Sequence, residues 1–377
     1  MKMFGNSNNN GYNYNNGNKG GERSDSGYAY EEHKPKKSRA RGCLLTFFII
    51  LVLTAGAVFL LYHFNVVPPE FFPKLPNNTD TGTGGETPTP PEPDGEATGE
   101  KYSFVILGSD DGNGNTDTIM IATFDTKDYK LDVVSIPRDT MVNVSWSVKK
   151  ANTLLAYNGT DGIIESMADL IGFNVNAYII VDLEAFKILI DEIGGVYYDV
   201  PIDMYYNDPA QDLYIDISAG PQTLTGDQAL GVVRFRSGYN NADIGRIGTQ
   251  QEFMKAAAQQ IIEKKDSINL TTLISVFINH VDTGLTAGNL IWLAKEFYKV
   301  DSENINFHVL PGDYDDDVYG SSYVSIYVPE WLEMINSYIN PLDRDIVESD
   351  LDILTRDDNG NLYSTSGVYA GNSSWGS

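Results

Sequence analysis

Four polar segments stand at the ends of apolar, β-branched runs, where a rigid scaffold can hold reactive groups at a set separation. The first is Gly108-Ser109-Asp110, followed shortly by Asp117-Thr118. Two carboxylates flanking a Gly/Asn-rich loop can share a hard cation such as Mg²⁺ (or Mn²⁺), which takes a few carboxylates plus substrate phosphates. The same aspartates can instead cap turns. In the second segment, Ser135-Ile136-Pro137-Arg138-Asp139-Thr140, the proline turns the chain. Arg138 can then direct its guanidinium into a cleft, or pair with its neighbour Asp139. The third is Val232-Val233-Arg234-Phe235-Arg236. Residues i and i+2 of a strand share a face, so a strand here would project Arg234 and Arg236 together with Phe235 packed behind. Guanidiniums so placed repel unless an anion lies between them, and their planar donors suit phosphate oxygens. The fourth runs from Asp243-Ile244-Gly245-Arg246 to Thr249-Gln250-Gln251. On a helix Arg246 and Gln250 share a face, while Asp243 is either a metal or substrate ligand or an N-cap. Together the four describe a site of several Arg and Asp, without a Cys or His nucleophile, that suits phosphoryl transfer.

The elements that must position these groups are legible as short apolar runs and helical periodicities. Strands are expected over 102–107, 118–124, 131–136, 177–181, 196–200, 231–235 and 305–310, each rich in β-branched residues and bounded by turn formers. Helical spacing marks 161–171, 183–193, 249–265, 270–279 and 287–298. Strands alternating with helices predict an α/β (α+β) domain, a layered mixed sheet covered by helices, over 101–340 with its core in 101–266. Residues 341–377 turn acidic and then Ser/Gly-rich, and are expected to form a mobile tail.

Charge is unevenly distributed. The 377 residues carry a net −26, yet residues 1–43 hold eight Lys/Arg against four acids, a net of +4 that leaves −30 on the other 334. So acidic a surface disfavours nucleic acid, whose binding requires phosphates to be neutralised by Lys and Arg. An anionic substrate must therefore be held by a local Arg cluster or a metal. The one cysteine, Cys43, permits no intramolecular disulfide and no Cys-based zinc site, and four histidines make a His-rich metal site a poor expectation. Residues 1–43 are expected to be a disordered basic tail. The uncharged run 44–62 is 19 residues long, and at about 1.5 Å per residue it reaches about 28 Å, close to the ~30 Å bilayer core. The basic run before it predicts a single span with the N-terminus cytoplasmic and the bulk outside. Residues 68–100, rich in Pro, Thr, Gly and Glu, read as an extended extracellular linker.

The ordered set Gly108-Ser109-Asp110, Thr116-Asp117-Thr118, Ser135 to Thr140, Gly194-Gly195-Val196, Leu224-Thr225-Gly226 with Ala229-Leu230, Arg234-Phe235-Arg236, and Asp243 to Arg246 through Gln250 resembles the LytR–CpsA–Psr family. The similarity is dense over 101–266. It thins toward 340, where Val281-Asp282-Thr283 and Leu310-Pro311-Gly312 resemble pieces of the family's C-terminal extension. A short cytoplasmic tail, one span and an external domain also match the family's layout. The resemblance implies a cell-wall phosphotransferase of a Gram-positive-type envelope. Such an enzyme moves an anionic glycopolymer (teichoic acid, capsule or another wall polymer) from an undecaprenyl-pyrophosphate carrier onto peptidoglycan, forming a phosphodiester. It further implies that Arg138, Arg234, Arg236, Arg246 and Gln250 grip the pyrophosphate, with Arg138, Arg234, Arg236 and Asp110 catalytic. Asp110 and Asp117 would hold Mg²⁺, Asp243 would support the Arg cluster or the metal, and a membrane-derived polyprenyl tail would enter an apolar tunnel between sheet and helices. The chain departs from the family in lacking peripheral cations: Asp111-Gly112, Asn115-Thr116 and Thr249 stand where Arg or Lys is common.

Two further readings compete. The same site could hydrolyse lipid-linked pyrophosphates, water replacing the sugar hydroxyl. A non-catalytic wall-binding or regulatory protein is the third, although the basic tail has no helix-turn-helix pattern for direct gene regulation.

Overall fold

Apolar side chains occupy both faces of the first three strands, the pattern of a sheet covered on each side. The computed structural model describes residues 68–69, 100–109, 116–209, 213–237, 242–318, 320–357 and 359–368, with the side chains of 242–244 excepted. The expected tail 1–43, the span 44–62, most of the linker and Asp110 lie outside the described residues. Among the described residues no helix is long and apolar enough to cross a membrane.

Lys101–Ser109 (β1), Thr116–Asp125 (β2) and Lys130–Ile136 (β3) form an antiparallel meander. Leu154–Ile171 (α1) follows, bent at Gly159, whose φ of 66° leaves the helical region, and ended by left-handed Gly172. Ala177–Asp182 (β4) lies parallel to β1, and its last residue, Asp182, caps Leu183–Glu192 (α2) by accepting from the Ala185 amide at 2.6 Å. Two small antiparallel sheets come next. Val196–Val200 (β5) pairs with Gly220–Leu224 (β8), and between them Met204–Asp208 (β6) pairs with Leu213–Ile217 (β7). Gly226–Arg234 (α3) and Ala242–Glu263 (α4) lead into Leu270–His280 (α5), Asp282–Thr283 (β9) and Ala287–Phe297 (α6). Ile305–Val309 (β10), Gly312–Val318 (β11), Ser321–Ile326 (β12), Val328–Met334 (α7), Leu354–Arg356 (β13) and Leu362–Ser364 (β14) complete the described chain.

The central sheet is mixed, in the order β10-β3-β2-β1-β4-β9. On one face Val105, Leu107, Ile119, Ile121, Val134 and Ile136 pack with α1 and with Trp331 of α7. On the other, Phe104, Phe124, Met120 and Val133 pack toward α4 and α6. The layered mixed α/β fold is thus the one expected from the alternation of strands and helices.

Two expectations are overturned. Residues 231–235 are not a strand: 231–234 close helix α3, and Phe235 is its extended C-cap. The Val-Val-Arg-Phe run has β propensity, but a capping box at Thr225 and Gln228 starts a helix upstream. Ala229 and Val232 then bury one face of that helix, so packing overrides propensity. Nor are residues 341–368 a loose tail. Ile346, Leu351 and Ile353 join the main core against α1, and the Asp352 amide donates to the Asp169 carbonyl at 2.9 Å.

Candidate functional site

Asp117 is the second residue of β2, and the β1–β2 ladder shifts register between Gly108 and Ser109 beside it. Gly108 permits the close approach there, since a Cβ would lie 3.1 Å from that of Thr118. Pro137 ends β3 and delivers Arg138 to the same end of the sheet. Arg138 Nη1 donates to Asp117 Oδ1 at 2.9 Å, and Arg236 Nη2 donates to Oδ2 at 3.2 Å. One carboxylate thus bridges two guanidiniums that lie 21 and 119 residues away in sequence. Arg138 also keeps the alternative contact: its Nε lies 3.6 Å from Asp139 Oδ2, whose other oxygen meets Lys150 Nζ at 2.8 Å.

Burial opposes ionisation of Asp117. The hydrogen bond from Arg138 and the charges of Arg236, Arg138 and Arg246 outweigh it and hold the carboxyl below its usual value. Arg246, on α4, is 2% exposed. A guanidinium that buried is tolerated only among compensating groups, and Asp117 is one of them.

Beneath this cluster opens a cavity of about 530 Å³. Its mouth carries Asp117, Arg234, Arg236, Arg246 and Gln250. Its walls are Ile106 and Met120 of the sheet, Leu183, Phe186 and Leu189 of α2, Leu230 and Val233 of α3, and Phe253, Met254, Ala257 and Ile261 of α4. The volume falls in the ~300–1,000 Å³ range of ligand sites, and a charged rim over an apolar throat fits an amphiphile with an anionic head. Arg138 instead lines a small adjoining cleft with Asp117, Arg246 and Gln250.

The structure therefore gathers Asp117, Arg234, Arg236, Arg246 and Gln250 around one opening, with Arg138 in the cleft beside it and bonded to Asp117. Arg234 and Arg236 reach it from the end of a helix and the residue beyond its cap, not from one face of a strand. Gln250 has a further job, since its Nε2 donates to the Val233 carbonyl at 2.9 Å and fastens α4 to the end of α3. Asp110 lies outside the described residues. Asp243 is described by its backbone alone, as the second residue of α4. Among the described residues no three His, Cys, Asp or Glu are grouped to hold a metal. Gln251, the last residue of the fourth polar segment, has a role that the sequence does not assign to it. Its Nε2 donates to Ser135 Oγ at 3.0 Å and to the His308 carbonyl at 2.7 Å, tying α4 to the sheet edge. Its place beside Gln250 on a helix was the one available signal.

The LytR_cpsA_psr family model matches residues 77–339. A relative from Bacillus anthracis, polyisoprenyl-teichoic acid–peptidoglycan teichoic acid transferase TagU, is 31% identical over 240 residues, which cover 61% of this chain and 75% of its own. An uncharacterized protein of Staphylococcus aureus is 31% identical over 265 residues, 66% of this chain and 62% of its own. The chain thus spans less than two thirds of the staphylococcal protein's length. Among solved structures, protein gbs0355 from Streptococcus agalactiae shares the fold with a TM-score of 0.57 and 21% identity, covering 66% of this chain and 90% of that one. The matched segment takes in the whole charged rim and the walls of the cavity beneath it. The chain belongs to the LytR_cpsA_psr family.

Proposed function

We infer that this chain is a wall glycopolymer transferase that passes an anionic polymer from a polyprenyl-pyrophosphate carrier to a peptidoglycan hydroxyl. The observation that carries this is the apolar cavity rimmed by Arg234, Arg236 and Arg246 beside the Asp117–Arg138 pair. The teichoic acid transferase named among its relatives supports the substrate class. The basic run and the span over 44–62 would hold the domain outside the membrane that supplies the carrier.

In this mechanism the polyprenyl tail lies in the cavity, where each buried methylene contributes about 0.8 kcal/mol. Arg138, Arg234, Arg236 and Arg246 hold the pyrophosphate oxygens, with Gln250 fixing the helix end that carries Arg234. The acceptor hydroxyl oxygen attacks the phosphorus nearest the polymer, and its proton passes through water to the departing polyprenyl phosphate. The bond from that phosphorus to the bridging oxygen breaks, and polyprenyl phosphate leaves with the electron pair. Preorganised guanidiniums stabilise the charge that builds on the non-bridging and leaving oxygens without reorganising. Asp117, held below its usual pKa, is a poor acceptor for the hydroxyl proton and acts as an anchor for Arg138 and Arg236.

The hard oxygens of Asp117 also fit a divalent cation. Its side chain is 41% exposed, and each oxygen receives one guanidinium while a carboxylate offers about four lone-pair sites. Asp117 and Asp110 would hold Mg²⁺, with Asp243 supporting the cluster, and the bound ion would neutralise pyrophosphate charge.

The test is transfer of labelled oligosaccharide from a lipid-linked donor to uncrosslinked glycan. Arg138→Ala, Arg234→Lys and Arg236→Lys should each lose about 10²–10³ in rate, because a point charge does not replace a bidentate fork. Near-normal transfer by all three would refute the mechanism. Release of free phosphorylated sugar by the native chain, with none joined to glycan, would establish a hydrolase instead.

A further inference from the structure

A sugar hydroxyl is a weak nucleophile until its proton begins to leave, so transfer gains from a positioned proton acceptor within hydrogen-bond reach of the attacking oxygen. Few groups qualify. Among the described residues no His, Cys, Lys or Glu lines the cavity, and the carboxylates that do are Asp117 and Asp182. Both oxygens of Asp117 are taken by guanidiniums, Oδ1 by Arg138 at 2.9 Å and Oδ2 by Arg236 at 3.2 Å. Tyr206 also lines the cavity, but its hydroxyl carries its own proton and donates it to Asp208 Oδ2 at 3.3 Å. Asp182 remains.

Asp182 reaches the mouth from the far side of β1. It ends β4, which runs parallel to β1 with Asp182 opposite Ser109, and Ser109 faces Thr116 of β2 on its other side. With neighbouring strands about 4.8 Å apart, Asp182 stands about 10 Å across the sheet end from the start of β2, where Asp117 lies. The carboxyl ends of parallel strands, here β1 and β4, are where open α/β sheets take their ligands. The interval leaves room for a phosphoryl group and the oxygen that attacks it. The Asp182 side chain is fixed at one oxygen only. As the N-cap of α2 it accepts from the Ala185 amide through Oδ1 at 2.6 Å. Among the described residues no cation pairs with it and no group donates to Oδ2.

We propose that Asp182 is the general base of the transfer. Its Oδ2 takes the proton from the acceptor hydroxyl as that oxygen bonds to phosphorus. The bond from phosphorus to the bridging oxygen breaks, polyprenyl phosphate leaves with the electron pair, and Asp182 hands the proton on to it through water. The carboxylate is thereby restored. This rests on the transferase reading above and names the group that the acceptor's proton meets first. A carboxylate kept as a helix cap and one used as a base part company at Asp182→Asn. Asn and Asp cap helices about equally well, whereas an amide oxygen does not take the proton.

The test compares transfer of labelled oligosaccharide to uncrosslinked glycan by the full chain in detergent. Asp182→Asn should lower kcat about 10²-fold or more. Its donor KM, acceptor KM and thermal midpoint should stay near native, because the lost interaction is made in the transition state. Asp182→Ala should be at least as slow, and sodium formate should restore part of its rate by supplying a carboxylate in the space left behind. A near-native kcat for Asp182→Asn would overturn the proposal and leave Asp182 as a helix cap, with the transferase reading intact. An alanine variant that formate leaves unchanged would overturn it too, since a free carboxylate replaces a lost base but does not repair a lost geometry. A native chain that joins no sugar to glycan would remove the transferase reading itself, and this role with it.

Discussion

Asp117 is the residue on which the charge balance of the rim turns. It is the one described acid that pairs with two of the site's arginines, and it is shared between groups that would otherwise repel. Its lowered pKa places this contribution on the neutral side of the scale. It is present above the unfolded carboxylate value of about 4 and is lost as pH falls through the lower folded value. The same ionised carboxylate would serve Mg²⁺ together with Asp110. Asp110→Ala and Asp117→Ala should each abolish Mg²⁺-dependent transfer, while near-ultraviolet circular dichroism shows the domain still folded. Full activity of both variants in chelator-treated enzyme would leave the aspartates as structural anchors and remove the metal from the mechanism.

At the scale of elements, α4 does most to build the site. It supplies Arg246 and Gln250 to the rim and Phe253, Met254, Ala257 and Ile261 to the cavity wall. Filling the throat from this helix should separate tail binding from charge. Ala257→Phe should raise the donor KM about tenfold or more, because the new ring occupies space a polyprenyl chain would take, each lost methylene contact costing about 0.8 kcal/mol. A thermal midpoint within a few degrees of native would exclude unfolding as the cause, and an unchanged donor KM would mean the tail lies elsewhere.

The α1 element carries a different pH signature. Burial pushes the Asp169 carboxyl up to about 7, reinforced by the charges of Asp352 and Glu165. A carboxyl raised on folding leaves the protein most stable while it stays protonated, so stability should fall as pH rises from about 4 to about 7. Asp169→Asn should remove that slope. It should add about 2–4 kcal/mol near pH 8 and little near pH 4, read from urea denaturation at each pH. An unaltered slope would assign the titration to another group.

Across the whole molecule, the described C-terminal segment is part of the fold. Asp352 accepts from Asn143 Nδ2 at 2.8 Å and from the Ser364 and Ser366 hydroxyls, each at 2.7 Å, while Ile346, Leu351 and Ile353 bury against the same core as Trp331. Ending the chain at residue 341 should therefore lower stability by more than about 3 kcal/mol, since removing even one large core side chain costs 2–5. Retention of the native unfolding midpoint would show that the segment only decorates the surface.

The sequence by itself determined what is local. Alternating β-branched runs marked β1, β2, β3 and β4, spacing of three and four marked α2 and α4, and the charge split between the first 43 residues and the rest was countable directly. Each of the arginines around the rim stood out because its type and neighbours were unusual in so acidic a chain. Only the tertiary structure decided where those groups meet. Asp117 joins Arg138 and Arg236 because strand register and helix packing bring distant segments to one end of the sheet. Residues 231–234 continue a helix begun by a cap six residues earlier, and the acidic segment after 341 folds because its scattered apolar residues find a core that lies elsewhere in the chain. Periodicity reports which face of an element is apolar. It does not say which other element will cover that face, and the cavity exists only in the space left between them.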